Sequence, residues 1–177
     1  LFKKHNYGLQ TTIGTIDHLK NPSIIEIEKF FKHYYVPNNM AIILSGDFNP
    51  DSAIFQIDKY FGAFKRSPVN EYIFEAEEPF NSPVERTIKA PDASSLLMAF
   101  RLPKPGTRDV YLATMVDMIL NNSKAGLMDL NINQKQKAVG VYSGITVNTD
   151  YCYHILGGSP TKGQKLEELR DLILEQL

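Results

Sequence analysis

Apolar residues recur at helical spacing early in the chain, with Ile24, Ile27, Phe31 and Tyr34 on one face. Ser23 and Glu26 stand three apart at the start of that run, the spacing of a capping box. Pro37-Asn38-Asn39 ends it as a turn. Met40 to Ser45 is a short, continuous apolar run and predicts a buried strand. Asn49-Pro50 opens a second helix, with proline at a first position where no donor is lost. Ile54, Ile57 and Phe61 form its stripe, and Gly62 suits its end.

The pattern then breaks. Residues 63 to 83 hold Glu71, Glu75, Glu77 and Glu78 among Ser67-Pro68, Pro79 and Ser82-Pro83. This acidic, proline-punctuated stretch predicts a linker, with a short strand at Tyr72 to Phe74. Beyond it, strands are expected over Val84–Ala90 and Ser94–Leu102, separated by a turn at Pro91-Asp92. Thr107 caps a helix with a stripe of Leu112, Met115, Val116 and Ile119. A second helix is expected over Lys124–Gln136. Two more strands are expected, Val139–Val147 and Tyr151–Gly157, joined at Asn148 to Asp150. Thr161 and Gln164 form another capping box, opening a last helix with Leu166, Leu169, Ile173 and Leu177 on one side.

Paired strands with helices between them predict an α+β fold of two layers, a largely antiparallel sheet with helices on one face. The organisation expected is one lobe over residues 1–66, a linker over 67–83 and a second lobe over 84–177. The chain starts at Leu1 and its last helix lacks a stop signal, so both lobes are expected to be truncated.

Composition narrows the function. Of 177 residues, 43% are hydrophobic, enough for a sizeable core. Lys and Arg number 19 against 20 Asp and Glu, and Lys65-Arg66 and Lys135-Gln136-Lys137 are only short clusters. No basic stripe for a nucleic acid exists. No apolar run is long enough to span a bilayer. With Cys152 the one cysteine, an intramolecular disulfide and a cysteine-rich zinc motif are excluded.

The chemistry is equally sparse. The four histidines are His5, His18, His33 and His154. None stands four residues from another, so HExxH and the inverted HxxEH are absent, and no zinc site is expected in this chain. Asp150, Cys152 and His154 alternate and would share one face of a strand. The outer two would stand about 13 Å apart, too far for one ion. A Cys152–His154 nucleophile–base pair lacks an evident third group, so a polar edge of a half-exposed strand is the better reading. Gly157-Gly158 and Gly163 belong to turns and make no phosphate loop. Asn121-Asn122-Ser123 matches a glycosylation sequon. Phe30, Phe31, Tyr34 and Tyr35 read as core aromatics. No catalytic, cofactor-binding or metal-binding residue is assigned.

One extended run is distinctive. Tyr7-Gly8, Gln10 to Thr15 and His18 to Ser23 lead to Tyr34-Tyr35-Val36-Pro37-Asn38-Asn39-Met40. Leu44 to Phe48 and Lys59-Tyr60-Phe61-Gly62 complete it. This wording resembles the M16 zinc metallopeptidases, the pitrilysin/insulinase family, and most of all long M16 proteins of Bacteroidetes-type bacteria. The resemblance implies a LuxS/MPP-like metallohydrolase fold. It also implies a parent protein with zinc, whose HxxEH and downstream Glu lie N-terminal to Leu1. This chain would then be a non-catalytic fragment that helps to enclose peptide substrates, with other M16 lobes of the same chain or a paired subunit as partners. The alternative is a non-enzymatic peptide-binding or assembly subunit with a degenerate metal site. A bacterial periplasm or cell envelope would suit the parent. Where related chains often carry an Arg-Glu pair, this one has Asn131 to Gln136, so no substrate clamp transfers.

Overall fold

The computed structural model describes residues 1–177. The chain divides into two compact units, Phe2–Pro79 and Phe80–Leu177, the latter including Leu1.

The first unit is helical. It holds α1 (Asn6–Leu9), α2 (Ile16–Lys20), α3 (Ile24–Tyr34), a short 3-10 turn (Pro37–Asn39) and α4 (Pro50–Phe61). α1 and α2 are too short for an apolar stripe to announce them. α2 starts at a box in which the Thr15 hydroxyl accepts from the His18 N–H and the His18 ring accepts from the Thr15 N–H. At α3, the Ser23 hydroxyl accepts from the Glu26 N–H, while the Glu26 carboxylate turns to Lys29. Asn49 caps α4 through the Ser52 N–H, and Gly62 ends it in right-handed geometry.

The Pro37-Asn38-Asn39 turn is held by its own amides. Asn39 Nδ2 donates to the Tyr34 carbonyl, closing the end of α3. The Asn38 amide both donates to the Ser67 carbonyl and accepts from the Ser67 N–H, as a neighbouring strand would.

The expected strands at Met40–Ser45 and Tyr72–Phe74 are not formed. An extended segment becomes a strand only when another lies alongside to exchange hydrogen bonds, and this unit contains no ladder. The aromatic group read as core is exposed instead: Phe31 is 56% accessible, and α3 and α4 bury no residue. Phe31 stacks on Tyr35, and Phe30 lies against Tyr34, within the same stretch of chain.

The second unit has the expected two layers. β1 (Leu96–Leu102), β2 (Gly140–Val147) and β3 (Cys152–Ser159) form one antiparallel sheet in the order β1-β3-β2. Leu96 opposes Gly158, and Val141 opposes the same residue from the other side. α5 (Arg108–Leu120) packs on β2 and β3, and α6 (Leu166–Leu174) on β1 and β3. The core sits between sheet and helices and is built from Leu120, Met128, Ile132, Leu156, Leu169 and Ile173, with Ala138 and Val141.

Several expectations change here. Val84–Ala90 forms no ladder, so β1 pairs on one side only. The helix expected over Lys124–Gln136 is shorter. Asn122 Oδ1 accepts from the N–H groups of Lys124 and Ala125, which makes residues 122–125 a turn. The helical part then widens to a π-turn over Asp129–Asn133, with the Gln134 N–H reaching the Asp129 carbonyl. The box at Thr161 forms as a free turn, and α6 begins later, after Lys165.

The largest difference is in α5. Its expected stripe of Leu112, Met115, Val116 and Ile119 faces outward. The helix instead buries Val110 and Leu120 and turns Thr114 and Asp117 toward the sheet. A helix that is apolar nearly all round does not declare its inner face by hydropathy; a polar partner decided it.

Candidate functional site

That partner is on β3. His154, only 6% exposed, places Nε2 2.9 Å from Asp117 Oδ1. Ser143 of β2 donates its hydroxyl to the same oxygen at 2.6 Å. Three elements therefore meet on one carboxylate oxygen. The connectivity is Ser–Asp–His with the acid in the centre. The Ser143 proton goes to Asp117 and not to an imidazole, so the group lacks the serine–histidine contact of a nucleophile–base pair. The arrangement ties α5 to the sheet and satisfies three polar groups that would otherwise be costly to bury.

Asp150, Cys152 and His154 do not form a site. β3 is the central strand, so the expected half-exposed edge is wrong. Cys152 is fully buried at the start of the strand, and Asp150 lies before it in the turn. The Cys152–His154 alternation puts both on the helix-facing side, where His154 is committed to Asp117.

The other histidines are dispersed. His5 is buried within the first unit among the rings of Phe2, Tyr7, Tyr72 and Phe74. His18 serves the cap of α2, and His33 lies edge-on to Tyr34. No group of three His, Cys, Asp or Glu side chains is placed to hold a metal ion. The residues of this chain do not fit a catalytic zinc.

The acidic stretch is more structured than its composition implied. Glu77 Oε1 accepts from three consecutive backbone N–H groups, those of Lys3, Lys4 and His5, at 2.7, 2.7 and 2.8 Å. Lys4 Nζ closes on Glu75, and on Glu78 at 3.1 Å. The hydrogen bonds that the Lys4 ammonium donates to Glu75 and Glu78 hold its pKa above the ordinary value. Residues 3–5 and 75–78 thus form a clasp around His5.

Two surfaces of the second unit carry exposed apolar side chains. The sheet face away from the helices carries Tyr142, Thr146, Tyr153, Ile155 and Leu97 by alternation. Tyr142 lies over Gly157, directly opposite it; a β-carbon there would meet the phenol oxygen at 2.7 Å. That contact, not a turn, explains the glycine. On the other side, the outer surface of α5 presents Tyr111, Leu112, Met115, Val116, Met118 and Ile119 to solvent. Between Glu85–Leu97 and α6 runs a groove, crossed by Arg170 reaching Glu85 at 3.6 Å. The hydrogen bond that Arg170 Nε donates to the Asp171 carboxylate holds the guanidinium above its ordinary pKa. No helix is long and apolar enough to cross a membrane.

Residues 24–177 match the family model described as "Peptidase M16 inactive domain". A solved structure, described as a protease from Helicobacter pylori, superimposes with a TM-score of 0.74 at 20% sequence identity. The likeness covers 98% of this chain and 43% of that one, so the chain spans less than half of that protease's length. At that identity the likeness shows the fold. No curated protein matches the sequence.

Proposed function

Since this chain belongs to the peptidase M16 family and carries its inactive domain, we propose that it is the non-catalytic part of a zinc-dependent M16 peptidase. In this reading it forms part of the wall of a chamber that encloses peptide substrates. Zinc and the hydrolytic residues reside in another lobe, on the same polypeptide or on a paired subunit.

The match to an inactive domain carries the proposal. Two features of the molecule support it. The polar residues gathered on the sheet are consumed in holding α5, with no cluster left for a metal. The helices also leave broad apolar faces uncovered, on α3 and α4 in the first unit and on α5 in the second. Patches of that kind mark contact surfaces, and further M16 lobes are the partners that suit them. The sheet face away from the helices, where Tyr142 and Leu97 are exposed, is the surface that this reading gives to the chamber side.

The test has two arms. The 177-residue chain should take up no stoichiometric zinc and cleave no quenched fluorogenic peptide. Mixed with a zinc-bearing M16 lobe of the same parent, it should raise that lobe's peptide turnover. Zinc-dependent cleavage by the chain alone would refute the proposal.

A further inference from the structure

A strand at the edge of a sheet offers unpaired N–H and C=O groups to any other strand. β2 is such an edge, yet part of it is already taken. Asn133 Nδ2 donates to the Val141 carbonyl at 3.0 Å, and the Val141 N–H donates to Asn133 Oδ1 at 2.9 Å. One side-chain amide thereby satisfies both backbone groups of Val141, as a neighbouring peptide would. Asn121 Nδ2 donates to the Ser143 carbonyl at 3.2 Å. Residues 141 and 143 share one parity, so both amides sit on the side of β2 away from β3. Past them the same side continues through Ile145 and Val147.

Both asparagines stand at the ends of helical segments. Asn133 closes the π-turn, and Asn121 ends α5 just before the turn at residues 122–125. Neither amide is needed to form the sheet, since the β2–β3 ladder lies on the opposite side.

We propose that Asn121 and Asn133 are edge locks, which keep β2 from pairing with the β2 strand of a second copy of this chain. The partner addressed is the same edge of a second copy. Two β2 edges related by a two-fold axis would pair antiparallel and self-complementarily. The proposal does not depend on the peptidase reading.

The experiment compares the 177-residue chain with Asn121→Ala/Asn133→Ala by analytical ultracentrifugation, with circular dichroism to verify the fold. The unsubstituted chain should stay monomeric at micromolar concentration, and the double variant should self-associate at least about tenfold more tightly. Adding Ile145→Pro to the double variant removes one outward N–H without touching the β2–β3 ladder, and should restore the monomer. Should the double variant not fold, Asn121→Ala alone, which frees one carbonyl, provides the same comparison. A folded variant that stays monomeric overturns the proposal. So does association that survives Ile145→Pro, or an unsubstituted chain that already pairs through β2.

Discussion

The two units reach order by different means. Residues 80–177 bury a continuous set of large aliphatic side chains, including Leu156, Leu169 and Ile173, none of them accessible to solvent. Burial of that kind contributes roughly 1.5–3 kcal/mol per side chain and makes a region melt as one. Residues 2–79 bury only His5 and Val36 to a comparable degree. Their order comes from caps, from the Asn38–Ser67 amide pair and from the Glu77 clasp. Net gains from single hydrogen bonds are about 0.5–1.5 kcal/mol each. Local opening should therefore be far easier in the first unit. Similar helices on paper, α3 and α6, thus differ by what lies beneath them.

The sharpest way to break this comparison is a pair of truncations. Leu156→Ala should cost about 2–5 kcal/mol and shift the urea transition of the second unit. Phe31→Ala, on the exposed face of α3, should cost no more than about 0.5 kcal/mol. Equal losses would show that α3 is packed in solution.

Next in size is Asp117→Ala. It leaves the buried His154 and Ser143 without their acceptor, at a cost of about 1–3 kcal/mol by the same denaturation assay. If the cost is nil, α5 is held by its apolar contacts alone. Glu77→Ala should free three N–H groups at once, and hydrogen exchange at Lys3, Lys4 and His5 should rise by at least about tenfold. Exchange in β3 should not change.

The smallest effect is a pH dependence. Lys4 has its pKa raised in the folded state, so its bonds to Glu75 and Glu78 contribute fully below the ordinary lysine value of 10.5. That contribution is lost as pH rises through the higher folded value. Exchange-broadening of the residue 3–5 amides in NMR spectra should thus appear above that range and not near neutrality.

Much of this architecture was legible in the sequence where the signal is local. Ser23 and Asn49 cap the helices they announced, and β2 and β3 pair across the turn that separates them. Met40–Ser45 and Val84–Ala90 misled because a strand pattern predicts suitability for pairing, not a partner. α5 misled because apolar residues occupy nine of its thirteen positions. One residue held the missing information: Asp117, between Val116 and Met118, is the lone charge in the C-terminal half of that helix. A solitary carboxylate in such company signals a buried partner, and His154 supplies it. Glu77 was hidden differently. Its neighbours read as a linker because acidic, proline-containing composition carries no trace of three backbone donors so distant in the chain.

The π-turn at Asp129–Asn133 sets a length constraint on this part of the gene. It fits one more residue per turn than an α-helix, and that residue aims Asn133 at β2 while Ile132 stays in the core. Deleting a single codon there would close the turn to α-helical spacing, and Asn133 and Ile132 would no longer be presented to β2 and to the core at once. A substitution at the exposed Leu130 leaves the wider spacing intact; a shortened version does not.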